Sequence, residues 1–272
     1  MYFLTYNRHI YTYFIHILKK RFRTFLGSIL IISVLLFFMM GCVSKTEHKP
    51  AFNDLSFLIP DSTDIFIKIV KLKSEIAIRL ESLGLVDIIT IDSSIVVELI
   101  YSTSENFTGQ ILYDDLSEAY FQPAVAIMLS NAQKFLQDTL PGAKLLIYDA
   151  ARPVSVQKKM WDKVKNTRFE KYVANPERTS LHNYGVAVDL TIIDKSGTPL
   201  DMGTPIDYFG KAAGNYDEIL IKEGLISIEQ LQNRQLLRLI MEKAGFSPIR
   251  GEWWHFNAFS LAVAKQRYNI IE

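Results

Sequence analysis

Two short segments, some seventy residues apart, constrain this chain more than anything else in it. They are Ser180-Leu-His182-Asn-Tyr-Gly185-Val-Ala-Val-Asp189 and Glu252-Trp-Trp-His255. Of the five histidines, His9, His16 and His48 precede residue 50; only His182 and His255 belong to the body, one in each segment. A fold that brings the segments together gathers two imidazoles and a carboxylate. Catalytic zinc takes three such ligands and keeps its fourth position for water or substrate. The site would therefore sit where a turn (180–185), a strand (186–193) and a later aromatic segment (250–256) meet.

Each residue has a plainer reading when taken alone. His182 in a polar loop reads as a surface histidine, and Glu252 with His255 as exposed members of an aromatic strand. Asp189 weighs against this, because an aspartate within Val-Ala-Val-Asp-Leu-Thr-Ile is costly unless its charge is paired or bound to a metal. Gly185 would let the backbone turn tightly enough to return His182 towards that strand. In a regular strand residues 252 and 255 face opposite sides, so a bend or bulge is needed to aim both at one metal. Glu252 would then be the general base, taking a proton from water acidified by the metal and passing it to a leaving amine. Trp253 and Trp254 would wall the site, although core packing explains them as well. Arg152 follows the apolar strand Lys144–Tyr148 and is suited to stabilise a developing oxyanion, or is an ordinary surface arginine.

With 272 residues, 49% of them hydrophobic, the chain can bury one sizeable core. A net charge of +1 gives no basic face for nucleic acid. Lys19, Lys20, Arg21 and Arg23 stand before the apolar run Phe25–Gly41, a secretory pattern. The run ends at Cys42, the only cysteine, in a context that resembles a lipobox; an uncleaved spanning helix is the alternative. A lone cysteine excludes internal disulfides and a cysteine-ligated zinc. Residues 1–42 are thus expected to be a lipoprotein-type signal, 43–82 a tether or N-terminal extension, and 83–272 the catalytic domain. Strands are expected at 86–91, 95–100, 144–148, 186–193 and 250–256, with helices at 117–136, 154–164 and 230–244. This order predicts an α+β fold, with helices packed on a small antiparallel sheet that carries a mononuclear metal site.

The two segments, the turn Asp149-x-x-Arg152-Pro153 and Asn106-Phe-Thr-Gly109 together resemble the D-alanyl-D-alanine dipeptidases, relatives of the zinc D,D-carboxypeptidases of peptidoglycan metabolism. The likeness runs from about residue 83 to the C-terminus. It implies one Zn(2+) per chain held by His182, Asp189 and His255, with Glu252 as catalytic base and Arg152 stabilising the transition state. It also implies that Ser180 and Asp207 bind the free amino end of a D-Ala-D-Ala substrate. The chain departs from the family where Ala150 and Ala151 replace a glycine and an aromatic, which would reshape the pocket. The export segment points to a bacterial cell envelope, with the body lipid- or helix-anchored and facing the periplasm or exterior, and to wall turnover or scavenging. A carboxypeptidase acting on longer wall peptides and a non-catalytic wall-peptide-binding lipoprotein are the alternatives. Oligomeric state is left open.

Overall fold

The computed structural model describes residues 73–272. The expected export segment with Cys42, and the stretch up to residue 72, lie outside the described residues. Among the described residues no helix is long and apolar enough to cross a membrane.

The packed body opens with helix α1 (Glu75–Ser82), started by Ser74, whose hydroxyl accepts from the Ala77 amide at 2.9 Å. Ala77 and Leu80 are fully buried, so the body takes in this helix, and the boundary expected at residue 83 falls at its end. The run expected as a strand over 86–91 divides. Val86–Asp87 form β1, and then the Asp87 carboxylate accepts from the Ile89 amide at 3.2 Å, capping a single helical turn, α2 (Ile88–Ile91). A β-branched run favours a strand, but the local cap and one buried face, that of Ile88, are enough here. Residues 95–100 similarly yield only β2 (Val96–Val97) before a 3-10 turn.

β3 (Tyr120–Phe121) pairs antiparallel with β1 and leads into α3 (Pro123–Thr139). This helix starts later than the expected residue 117, because Pro123 sits at its first position, where the missing N–H costs no bond. Then follow β4 (Lys144–Asp149), α4 (Val154–Val164), β5 (Ala187–Ile193), α5 (Asp217–Lys222), α6 (Ile228–Lys243), β6 (Ser247–Pro248), β7 (His255–Asn257) and α7 (Leu261–Arg267).

Five strands form one sheet in the order β2-β4-β5-β7-β6. The expected antiparallel sheet is present, except that its edge strand β2 runs parallel to β4. Helix α3 is bolted to it by buried Gln133, which donates to the Ala143 carbonyl at 3.2 Å and accepts from the Leu145 amide at 2.7 Å. The central strand β5 is buried along its whole length.

Register, more than chain order, positions the chemistry. Asp189 of β5 lies opposite Asp149 of β4 on one side and His255 of β7 on the other. An irregularity between Ile147 and Asp149 lets β4 meet that row. The expected strand over 250–256 survives only as β7, because its first half is drawn to another partner. The Trp253 amide donates to the Ala213 carbonyl at 2.9 Å, and Asn215 donates to the Arg250 and Glu252 carbonyls at 2.9 and 3.1 Å. The resulting bend is what the alternation argument required if Glu252 and His255 were to share a face.

Between α4 and β5 the chain makes a 3-10 turn, Leu181–Tyr184, ended by Gly185 at φ +66°. A Cβ on Gly185 would stand 2.8 Å from Leu85 Cδ2. Gly185→Ala should therefore destabilise the protein by roughly 1–3 kcal/mol, from left-handed strain plus overpacking. The urea midpoint measures it; an unmoved midpoint would show that the turn tolerates a side chain.

Candidate metal centre and active site

His182 arrives from the 3-10 turn, Asp189 from β5 and His255 from β7. The Ser180 hydroxyl accepts from the His182 amide at 3.4 Å, and the Asn183 side chain accepts from the Ser180 amide at 2.7 Å. Asn183 also donates to the Arg152 carbonyl at 2.8 Å, while the Arg152 amide donates to the His182 carbonyl at 3.0 Å. The two loops of the site are thus laced to each other.

The outer nitrogen of each imidazole is already committed. His182 Nδ1 donates to the Ala150 carbonyl at 2.7 Å, and His255 Nε2 to the Asn257 side-chain oxygen at 2.8 Å. Each ring therefore turns its other nitrogen inward, the atom that would meet a metal. His182 Nε2 and His255 Nδ1 stand 3.2 Å apart; Asp189 Oδ1 is 2.9 Å from the latter and Oδ2 3.4 Å from the former. Ligands on a tetrahedral zinc, each ~2.0–2.1 Å from the ion, lie roughly 3.3 Å from one another. The three side chains fit a metal in both spacing and donor type, and could hold one.

Around this point charge is unevenly distributed. Burial opposes ionisation of His255, but Asp189 outweighs it and pushes the ring up to about 9. Burial also opposes ionisation of Asp189, yet His182 and His255 hold its carboxyl well below the usual range. Glu252 lies 4.0 Å from His255 Nδ1 and is pushed up to about 7 by burial and then by the Asp189 charge. Asp207 is pushed up to about 7 by the same two causes. It accepts from the Tyr101 hydroxyl at 2.9 Å and has φ +59°, a strained backbone for a residue other than glycine. Arg152 is buried, with Nε donating to Asp149 at 2.9 Å, Nη2 donating to the same carboxylate, and Nη1 donating to Gln157 at 2.7 Å. Arg152, Ser180, His182, Asp189, Asp207, Glu252 and His255 all line one cavity of about 240 Å³.

A family model described as D-ala-D-ala dipeptidase matches residues 81–272, most of the chain. The D-alanyl-D-alanine dipeptidase of Escherichia coli (strain K12) is 32% identical over 172 residues, 63% of this chain and 83% of that protein. Those of Synechocystis sp. and Enterococcus faecalis are each 31% identical, covering 53% and 57% of this chain and 71% and 82% of their own lengths. The chain belongs to the D-ala-D-ala dipeptidase family. It is accordingly a peptidase.

Within this dipeptidase-family fold Arg152, Ser180, His182, Asp189, Asp207, Glu252 and His255 converge on one cavity; of the two tryptophans expected to wall it only Trp254 does, Trp253 lining a different pocket, and Cys42 lies outside the described residues. Neither Ala150 nor Ala151 lines that cavity; Ala150 contributes its carbonyl to His182. Asn106 spends its amide inside its own loop, donating to the Thr103 and Gln110 carbonyls at 2.7 and 2.9 Å, and so presents Phe107 to the cavity. Three residues escaped the sequence reading: Tyr101, Gln157 and Asn257. Only Asn257 left a signal, two positions after His255 and so on the same strand face.

Asn257→Leu should free the His255 ring and lower metal affinity roughly 10- to 100-fold. Competition with a chromogenic chelator would measure this; unchanged affinity would mean that Asp189 alone orients the ring.

Proposed function

We propose that the chain is a zinc-dependent hydrolase that cleaves D-alanyl-D-alanine into two D-alanines. The observation that carries this reading is the convergence of His182 Nε2, Asp189 and His255 Nδ1 at zinc-ligand spacing, with Glu252 beside them. When bound, the metal would supply Lewis acidity, acidifying water and polarising the scissile carbonyl. Glu252 would take the proton from the attacking water and deliver it to the departing amine. Arg152 would receive the negative charge that develops on the carbonyl oxygen. Asp207, held by Tyr101, would pair with the free ammonium, and Ser180 would help seat that end. The relatives named above carry D-alanyl-D-alanine dipeptidase activity in their names, which supports the substrate.

Charge supports the same reading. Asp149, Asp189, Asp207 and Glu252 face a single guanidinium, Arg152. A dication and an ammonium are the species that such a deficit favours. The cavity is small, and Phe107, Tyr172 and Phe209 line it together with Asp207, with Tyr172 and Phe209 stacked at 5.1 Å between ring centres. A wall there favours a dipeptide over the longer wall peptides of a carboxypeptidase, which need that side open. Glu252 disfavours a silent binder, which has no use for a base beside the ligands. For the N-terminus we propose export and a lipid anchor at Cys42 in the bacterial cell envelope, supported by the basic cluster and the apolar run. An outward-facing peptidase would serve wall turnover or scavenging.

D-Alanine release from D-Ala-D-Ala should stop with a chelator and return with zinc. Glu252→Gln should keep near-normal zinc while turnover falls at least ~100-fold; retained turnover would remove Glu252 from the mechanism. Because the base must be ionised, kcat/KM should fall as pH drops through the Glu252 pKa. Its acid limb is expected at or below about 7, since a bound cation favours the carboxylate. A limb unmoved in Glu252→Asp would assign that titration elsewhere.

A further inference from the structure

Helix α4 turns Val156, Gln157, Met160 and Val164 into the core. Gln157 is the anomaly on this apolar stripe. It is fully buried, where an amide is costly unless both of its ends are bonded. Both are. Its oxygen accepts from Arg152 Nη1 at 2.7 Å, and its nitrogen donates to the Ala174 carbonyl at 2.8 Å, on the cavity wall.

A guanidinium has five N–H donors in a rigid plane. Asp149 takes one from Nε and one from Nη2, and Gln157 takes one from Nη1. One N–H is left on Nη1 and one on Nη2, and Arg152 lines the cavity. Asp149 alone would leave the far nitrogen unsupported. A second carboxylate in place of Gln157 would neutralise the charge that the reaction needs. A neutral acceptor fixes the fork and leaves its charge for the substrate.

We propose that Gln157 is a positioning residue for Arg152: it sets the plane of the guanidinium so that the two remaining N–H groups meet the oxyanion. This deepens the dipeptidase reading and rests on it. Gln157 touches no reacting atom; it acts through Arg152 and ties it to the wall at Ala174.

The test compares the zinc-loaded full chain with Gln157→Met and Gln157→Glu. Gln157→Met keeps the volume and loses both bonds; Gln157→Glu keeps an acceptor for Arg152 and loses the donor to Ala174. In Gln157→Met, kcat on D-Ala-D-Ala should fall roughly 10- to 100-fold, as expected for a misaimed catalytic group, with KM and zinc content little changed. Gln157→Glu should hold the guanidinium in place without restoring kcat, because its carboxylate neutralises the charge. In arginine-labelled protein, the Nη signals of Arg152, assigned by their loss in Arg152→Lys, should be separate in the wild type and should merge in Gln157→Met. Unchanged kcat in Gln157→Met, a loss of zinc and thermal stability in proportion to activity, or Nη signals that merge in Gln157→Glu as well, would overturn the proposal. If the wild type does not cleave D-Ala-D-Ala, the dipeptidase reading fails by itself. The Arg152 signals then still decide: merged in Gln157→Met they support the positioning, and unmoved they overturn it.

Discussion

Lone pairs aimed at a common point repel one another unless a cation stands between them, and that constraint organises this molecule. His182 Nε2 and His255 Nδ1 are held at such a point, beside the Asp189 carboxylate, by bonds made on the far sides of the two rings. The Ala150 carbonyl and the Asn257 amide oxygen can only accept, so each holds a proton on the outer nitrogen and leaves the inner one as the atom a metal would take. Those two acceptors come from the loop after β4 and from β7, the strands that flank β5. The sheet is therefore both scaffold and orienting shell for the three side chains.

The same sheet concentrates negative charge. Asp149 and Asp189 are cross-strand neighbours, an arrangement that is unfavourable unless something intervenes. Arg152 intervenes, bonded to Asp149 and with Nη2 3.7 Å from Asp189. Gln157 and Asp149 together immobilise that cation, so repulsion between two strands becomes the means of fixing a guanidinium at the cavity. Strain lies nearby as well: Thr179, just before Ser180, has φ +62°, and the cavity residue Asp207 has φ +59°. Sparsely populated backbone of this kind persists only where packing and hydrogen bonds overdetermine it.

Much of the site could be read from the chain because its residues are chemically out of place. An aspartate in an apolar strand and two histidines confined to two segments need a reason to be there, and Gly185 offered a way to connect them. Helix α4 was legible to the residue, since Pro153 marks its start. Strands were less so. Residues 86–91 and 250–256 have strand composition, but Asp87 caps a helical turn, and backbone partners at Ala213 and Asn215 pull the second run away from its ladder. Both outcomes depend on bonds to segments that periodicity does not see. Gln157 and Asn257 were hidden for the same reason: a glutamine on a helix stripe looks like an imperfection until Arg152 is found beside it.

Strand β7 is three residues long and pairs with a two-residue edge strand, so little in its ladder fixes its alignment on β5. A slip of one residue would send His255 to the opposite face and bring a tryptophan or phenylalanine to Asp189. An ion that accepts only the pairing of Asp189 with His255 would count residues for the sheet. The feature that equips the cavity for chemistry would then also act as the pin that selects one alignment from several during folding.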